Sequence, residues 1–268
     1  MRENHVAFAL AKLALRLVKR KFGSRLVIRA KGSPGDIVTS LDLAVDRLVT
    51  GALARSFPRD TILAEESSPD ATLGKGRAWV CDPICGTKNL SRGMPIIVTN
   101  IALVDSGRVV GAWVADHLRG RIISSTGNGI AIDGRRVRHT ASSDDARAAC
   151  VDIDWGYRGE LSASVRRRYA ALIGEVALEK TLLKYALLSS IAFAYVATGQ
   201  LDGSVTINVR PWDVLAGAFL VKQSGGIVTN FNGSAWSIHS KSLVMAHDRR
   251  THRRLLALVK KHGLQHVK

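Results

Sequence analysis

The sequence has few cysteines and no long hydrophobic run. Its three cysteines, Cys81, Cys85 and Cys150, cannot all pair, which argues against a disulfide framework and favours a reducing cytoplasm. No window of about 18 uncharged apolar residues is present, so we expect neither a transmembrane helix nor a membrane partner. The apolar stretch over residues 6–18 is interrupted by lysine and arginine and lacks the shape of a secretory signal.

Acidic and aromatic residues are also scarce. The chain has 22 Asp and Glu against 39 Lys and Arg, for a net charge of +17, and aromatic residues make up 6%. Such a charge attracts polyanions, either nucleic acid or phosphorylated substrates. The basic residues concentrate in residues 1–31 and from Lys241 onward. Zinc-finger spacing and aromatic-rich RNA-binding motifs are missing, so we predict only weak, non-specific binding of nucleic acid.

The 268 residues, 46% of them hydrophobic, can form a sizeable core. Helices are predicted from Val6, Leu10, Leu13 and Leu17 on one face, over 40–56 with Ser40 as cap, and near 161–175, 186–198, 214–224 and 250–262. Strands are predicted at 61–64, 78–81, 96–104, 108–115, 121–125, 130–132, 227–230 and 242–246. This mixture indicates an α+β or layered α/β fold. We expect one domain over 1–268, with a soft boundary between a metal-site half, 1–143, and a second α/β half, 144–268.

Several of the few acids stand where strands end or helices begin. Glu65 and Glu66 follow one predicted strand, Asp82 ends the next, and Asp213 opens a helix. Carboxylates at strand ends can converge on one rim of a sheet, and Mg²⁺ prefers such oxygens. Taken singly, each has a simpler interpretation, with Asp213 as a helix cap and Glu65–Glu66 as a solvated pair.

The segment from Asp82 to Asn89 favours the metal interpretation. A strand ends in an acid, the chain turns through Pro83 and Gly86, and a helix begins near Thr87. The N–H groups of Gly86 and Thr87 would then point at an anion, as helix N-termini do for phosphate. A metal carboxylate beside phosphate-binding amides is typical of metal-assisted phosphoester hydrolysis.

Five segments, in the same order and spacing from about residue 30 to 245, resemble the motifs of the inositol monophosphatase family of Mg²⁺-dependent, Li⁺-sensitive enzymes. They are Asp36–Asp42 with Lys31 ahead of it, Ala64–Ser67, Asp82–Leu90, Tyr195–Gly203 and Trp212–Gly217. The Lys88–Asn89 pair with Arg92–Pro95 is also similar to the histidinol-phosphatase-like branch. The resemblance implies alternating α-β-α-β-α layers, the sugar-phosphatase fold, and a homodimer.

The resemblance also implies two metal positions. Glu65, Asp82 and the carbonyl of Ile84 would hold one Mg²⁺, and Asp82 with Asp213 would hold another. The implied activity is that of a phosphomonoesterase acting on a small phosphorylated alcohol of the sugar, inositol or histidinol phosphate class. Inositol-specific members carry an acid shortly before the position of Asp213, where residues 206–211 have none.

Further roles follow from the same resemblance. Thr87 with Glu65 would orient the attacking water, and the amides of Gly86 and Thr87 would bind phosphate. Asp42 would hydrogen-bond to water or to Thr87. Glu66 and Lys31 would support the metal ligands.

Cys85 departs from the family, which has an aspartate there that binds the second metal and contacts a substrate hydroxyl. A thiol is a poor ligand for Mg²⁺. Three interpretations stay open. The chain is a weakened phosphatase; it is a non-hydrolytic or repurposed member that binds a phosphate-bearing ligand or regulates; or it uses Cys85 as a catalytic thiolate or soft-metal ligand, with Mn²⁺ or a softer cation replacing Mg²⁺.

Overall fold

Two large β-sheets separate three groups of helices in the computed structural model of the chain. The described residues are 2–31, 36–137, 148–156, 158–187 and 189–267, so the predicted boundary at 143/144 lies outside them. The elements up to the end of the first large sheet are α1 (Arg2–Lys21), β1 (Ile28–Ala30), β2 (Ile37–Thr39), α2 (Ser40–Ser56), β3 (Thr61–Ala64), β4 (Ala78–Cys85), α3 (Thr87–Ser91), β5 (Val98–Asp105), β6 (Arg108–Asp116), β7 (Arg121–Ser125), β8 (Ile130–Ile132) and β9 (Arg135–Val137). The remaining elements are β10 (Ala149–Trp155), a 3₁₀ turn (Arg158–Glu160), α4 (Ala163–Leu178), β11 (Leu182–Tyr185), α5 (Ile191–Thr198), β12 (Gly203–Ile207), α6 (Pro211–Gln223), β13 (Ile227–Asn230), β14 (Leu243–Ala246) and α7 (Arg249–Lys261).

The larger sheet has seven strands in the order β3-β4-β5-β6-β7-β8-β9, and the smaller has five in the order β11-β10-β12-β14-β13. In the larger sheet β3 runs parallel to β4, and each later neighbour is antiparallel. In the smaller sheet β10 runs parallel to both β11 and β12. The parallel pair β3–β4 is the one that matters for the site, because both strands end at the same edge of the sheet.

The helices alternate with the sheets. Helices α1 and α2 cover one face of the seven-stranded sheet, α5 and α6 lie between the two sheets, and α4 and α7 cover the outer face of the five-stranded sheet. The resulting α-β-α-β-α order confirms the predicted fold class. Under α1 and α2 the rings of Phe57, Trp79 and Trp113 pack in a row, with centroids 5.1 and 6.0 Å apart.

Helix α1 packs through part of the predicted face, since Val6, Leu10 and Leu17 contact the core and Leu13 does not. Leu13 was expected in the core but is 43% exposed, whereas Leu10 is buried as predicted. The face that packs on the molecule holds small residues, which let the helix approach α2 and β6 closely. This face consists of Ala7, Leu10, Ala11, Ala14 and Val18. None of the helices in the described residues is long and apolar enough to cross a membrane.

The cap of α2 lies one residue before the predicted Ser40. The Thr39 hydroxyl accepts from the N–H groups of Leu41 and Asp42, at 3.2 and 3.4 Å, and the Asp42 carboxylate accepts from the Thr39 N–H at 3.0 Å. This reciprocal capping box satisfies donors at both positions. Ser40 instead accepts from the Val27 N–H, at 3.3 Å. The box also fixes Asp42 beside the candidate site.

Candidate functional site

The parallel pairing of β3 and β4 places Glu65 beside Asp82. Ala64, the last residue of β3, pairs with Cys81, and the Glu65 N–H donates to the Cys81 carbonyl at 3.2 Å. Glu65 follows Ala64 and Asp82 follows Cys81, so the two carboxylates lie next to each other at the same edge of the sheet. The sequence predicts this convergence, but β4 continues past Asp82 to Cys85, so the prediction that Asp82 ends its strand is wrong.

Asp213 approaches the same edge from the first turn of α6. Its Oδ2 accepts from the N–H of Arg210 at 2.8 Å, and Arg210 is the N-cap residue, so Asp213 helps to cap α6 from the third helical position and is not itself the N-cap. Asp213 is also one of three residues whose ligand atoms all lie within 4.8 Å of one another, and the other two are Asp82 and Cys85. The hydrogen bond from the Arg210 N–H holds the Asp213 carboxylate in place beside Asp82 and Cys85.

A β-bulge in β4 brings Cys85 to the same side as Asp82. Residues three apart in a regular strand point to opposite faces. Here Asp82 pairs with Asn100 while Cys85 pairs with Val98, so β4 has one more residue than β5 between these pairs. The extra residue reverses the alternation and takes the Ile84 region out of the regular ladder.

Asp82 is fully buried, and neither of its carboxylate oxygens has a hydrogen-bond partner among the described residues. Burial, reinforced by the charges of Glu65 and Asp213, raises the pKa of Asp82. Burial also raises the pKa of Asp213 to about 7. A buried carboxylate without a partner is costly, and a bound divalent cation offsets that cost. The carboxylates of Glu65, Asp82 and Asp213 therefore fit a metal centre.

Asp42 and Thr87 form a hydrogen-bonded pair at the edge of the cluster. The Thr87 hydroxyl donates to Asp42 Oδ1 at 2.7 Å, while Asp42 Oδ2 accepts from the Thr39 N–H. Burial raises the pKa of Asp42, although the hydrogen bonds from Thr39 and Thr87 oppose this. With its proton directed at Asp42, the Thr87 oxygen can accept a hydrogen bond from a further donor.

Glu65 and Glu66 share one cation, Lys31. The Lys31 Nζ lies 2.9 Å from Glu65 Oε1 and 2.5 Å from Glu66 Oε1. The two side chains are 16% and 4% exposed, so interpreting them as a solvated pair is wrong. Burial raises the pKa of Glu66 to about 7 and also raises the pKa of Glu65. The positive charge of Lys31 opposes both shifts.

Gly86 makes the turn from β4 into α3. Its φ is 102°, and a Cβ at this position would lie 2.8 Å from the Ile96 carbonyl oxygen. Only glycine fits such a position without strain. The turn sets Thr87 at the start of α3, and the binding of phosphate by the Gly86 and Thr87 amides stays a prediction.

Two serines that the sequence analysis missed hold Cys85. The Ser190 N–H donates to Cys85 Sγ at 3.2 Å, and the Ser189 hydroxyl donates to the Cys85 carbonyl at 3.0 Å. Asn100 in turn donates to the Ser190 hydroxyl at 2.8 Å. The serines lie about 100 residues beyond Cys85 in the chain, outside any motif, so only the fold reveals this contact.

An acid was also missed near α6. Glu160, in the 3₁₀ turn, forms an ion pair with Arg210 and accepts from the Asn208 side chain at 3.3 Å. Residues 206–211, just before Asp213 in the chain, contain no acid. Glu160 is placed next to those residues by the fold rather than by the chain.

Comparison with known proteins identifies the family of the chain. Residues 3–264 match the model of the inositol monophosphatase family, and the chain belongs to that family. The motif resemblance is thereby confirmed.

Two relatives and one solved structure illustrate the match. The chain is 30% identical over 232 residues to the protein named Nus factor SuhB of Escherichia coli (strain K12), covering 85% of each. It is 32% identical over 215 residues to the fructose-1,6-bisphosphatase/inositol-1-monophosphatase of Thermotoga maritima, covering 79% of this chain and 78% of that protein. The solved structure of the Thermotoga maritima IMPase gives a TM-score of 0.84 at 26% identity, covering 98% of both chains.

Proposed function

We propose that the chain is a metal-dependent phosphomonoesterase that acts on a small phosphorylated alcohol. The observation that carries this proposal is the buried, unpartnered carboxylate of Asp82 between Glu65 and Asp213. Family membership and the names of its phosphatase relatives support the same reaction class.

The chain's own groups would hold the cations as follows. Glu65, Asp82 and the Ile84 carbonyl would bind one Mg²⁺, and Asp82 with Asp213 would contribute to a second position beside Cys85. Bound divalent cations would supply Lewis-acid polarisation of the phosphoryl oxygens and a lowered pKa for a bound water. Lys31 would keep the Glu65 and Glu66 carboxylates oriented.

The remaining groups would position water and phosphate. The Thr87 hydroxyl, which donates to Asp42, can accept from a water and fix its orientation together with Glu65. The backbone N–H groups of Gly86 and Thr87 would donate hydrogen bonds to the phosphate oxygens. Glu160 and Asn208 lie by the start of α6 and offer hydrogen-bonding groups for an alcohol. We propose a sugar, inositol or histidinol phosphate as the substrate class.

Phosphate release from a generic phosphomonoester, measured with Mg²⁺, Mn²⁺ and Zn²⁺ in turn, tests the proposal. Asp82→Asn removes the charge of the central ligand, and we expect turnover to fall by about 100-fold or more.

Asp60→Asn is the matched control. Asp60 is a mostly buried acid at the other end of β3, where it accepts from the Arg77 and Trp79 side chains. We expect this variant to keep its turnover. Equal turnover of the Asp82→Asn variant and the wild type would refute the site assignment.

A second candidate is a non-hydrolytic, regulatory role. It is favoured by Cys85, by the net charge of +17 and by the similarity to proteins named Nus factor SuhB. A folded chain that releases no phosphate with any of the three cations would favour this role. In either role we propose that the chain is cytoplasmic and forms a homodimer. The molar mass in solution tests the homodimer.

A further inference from the structure

We propose that the cluster of Asp82, Cys85 and Asp213 binds a borderline divalent cation of the Zn²⁺ or Co²⁺ class through the Cys85 thiolate, in preference to Mg²⁺. This inference deepens the proposed function by naming the cation of one of its metal positions. It rests on the residues of this chain and departs from the all-oxygen site that the family resemblance implies.

The cluster has the size of a metal site. The Cys85 Sγ and one carboxylate oxygen from each aspartate all lie within 4.8 Å of one another. Ligands at about 2.1 Å (oxygen) and 2.3 Å (sulfur) around tetrahedral zinc are roughly 3.6 Å apart. Closing the difference requires only small rotations of the side chains. Three protein ligands leave an open position, as in catalytic zinc sites.

Asp82 gives an independent indication that the cluster takes a cation. It is completely buried, and within the described part of the chain both of its oxygens lack a hydrogen-bond partner. Buried polar groups are otherwise paired in almost every case. Asp213 and Cys85, unlike Asp82, keep part of their surface exposed.

Burial and the charges of Asp82 and Asp213 raise the pKa of the Cys85 thiol, and a bound cation would offset both effects. The Ser190 N–H at the start of α5 donates to Sγ at 3.2 Å, and Asn100 holds Ser190 in place. An N–H donor at a helix N-terminus stabilises a thiolate. The other two cysteines differ, since Cys81 packs in the core under α1 and α2, and Cys150 lies on β10.

Charge explains why the cluster would discriminate between cations. A hard Mg²⁺ binds sulfur poorly, so with Mg²⁺ the thiol would stay protonated and the cluster would offer two carboxylates. With Zn²⁺ the S–H proton leaves to solvent and an S–metal bond forms without any change of oxidation state. The cluster then presents three anionic ligands, the number that an aspartate at position 85 would give to Mg²⁺.

Cobalt titration of the full-length chain tests the inference without substrate. Co²⁺ bound to a thiolate absorbs in the near ultraviolet through sulfur-to-metal charge transfer. We expect this band to saturate at one Co²⁺ per chain, to disappear when Zn²⁺ is added, and to persist in an equal concentration of Mg²⁺.

Four variants test where the cobalt binds. Cys85→Ser and Cys85→Asp should abolish the band, and Cys150→Ser should keep it. Asp82→Asn retains the sulfur but should weaken Co²⁺ binding by more than about 100-fold, because even groups that only contact a metal ligand contribute about 10–100-fold. Circular dichroism of each variant checks that it is folded.

The absence of a band in the wild type, its survival in Cys85→Ser or Cys85→Asp, or equal competition by Mg²⁺ and Zn²⁺ would overturn the inference. These outcomes are separate from those of the proposed function. Phosphate release can fail while the band appears, and Mg²⁺-dependent release can proceed in a chain that shows no band.

Discussion

Asp152, a buried acid outside the candidate site, connects the second sheet to the loop beside α3. Its Oδ1 accepts from the Leu187 N–H at 3.0 Å, and the Leu187 carbonyl accepts from the Asn89 side chain in α3 at 2.9 Å. Burial, with the nearby charge of Asp154, raises the pKa of Asp152 to about 7 from its ordinary value of 3.8. This carboxyl group should therefore make the stability of the fold depend on pH.

We expect the free energy of unfolding to fall as pH rises from about 4 to about 7, because the folded chain keeps the Asp152 proton that the unfolded chain has lost. Asp152→Asn can still accept from the Leu187 N–H and has no charge at any pH. Its stability should match the wild type near pH 4 and exceed it by a few kcal/mol at most above pH 7. Chemical denaturation at several pH values, with a chelator present, measures the difference. A stability difference between the two proteins that does not change with pH would contradict the raised pKa of Asp152.

At the residue scale, local motifs predict the groups of the candidate site that lie within one motif or at the ends of paired strands. Glu65 and Asp82 could be placed together because parallel strands end at the same edge. Ser190 and Glu160 could not, since their positions beside Cys85 and Arg210 depend on packing between distant segments. The burial of Glu66 by Lys31 was likewise invisible, because a pair of adjacent glutamates is ordinarily solvated.

At the element scale, periodicity and turn residues predicted most helices and the strands of the first sheet except β9. The hairpin between β5 and β6 turns through Ser106 and Gly107, both with positive φ, as the Asp-Ser-Gly segment predicts. Strands β10 and β12 were missed, because buried strands of a parallel pair lack the alternation that marks a strand in the sequence. Leu13 of α1 was misjudged because alanines supply much of the buried face of that helix.

The packing of α6 against α5 depends on one glycine. A Cβ at Gly217 would lie 2.4 Å from the Phe193 Cβ in α5. This close approach keeps α6, and with it Asp213, at its place between the sheets.

Gly217→Ala should destabilise the protein by about 1–3 kcal/mol, because the added methyl group overpacks the interface. Gly174→Ala is the matched control, since Gly174 is exposed on α4 and a methyl group added there would have nothing within 4 Å. It should be neutral or stabilising by up to about 1 kcal/mol, as expected for glycine replaced in a helix. Thermal unfolding of both variants measures the contrast. Equal effects would show that the α5–α6 contact does not need the glycine.

At the scale of the whole molecule, the positive charge lies on opposite outer layers. Helix α1 covers the outside of the seven-stranded sheet and α7 covers the outside of the five-stranded sheet. Lys19 and Arg20 are exposed on α1, and Arg249 and Arg253 are exposed on α7. Two separated basic surfaces favour attraction by total charge over a single groove for nucleic acid.

We therefore expect duplex DNA to bind weakly, with an affinity that falls as salt rises, at a slope of about −0.9 per phosphate contact. The paired reversals Lys19→Glu with Arg20→Glu, and Arg249→Glu with Arg253→Glu, remove equal charge from opposite layers. Non-specific binding predicts that both double variants lose affinity by similar factors, measured by fluorescence anisotropy over a salt series. A loss of affinity confined to one double variant would instead indicate a binding site on that layer. Tight sequence-specific binding by the wild type near physiological ionic strength would favour the regulatory role over the phosphatase.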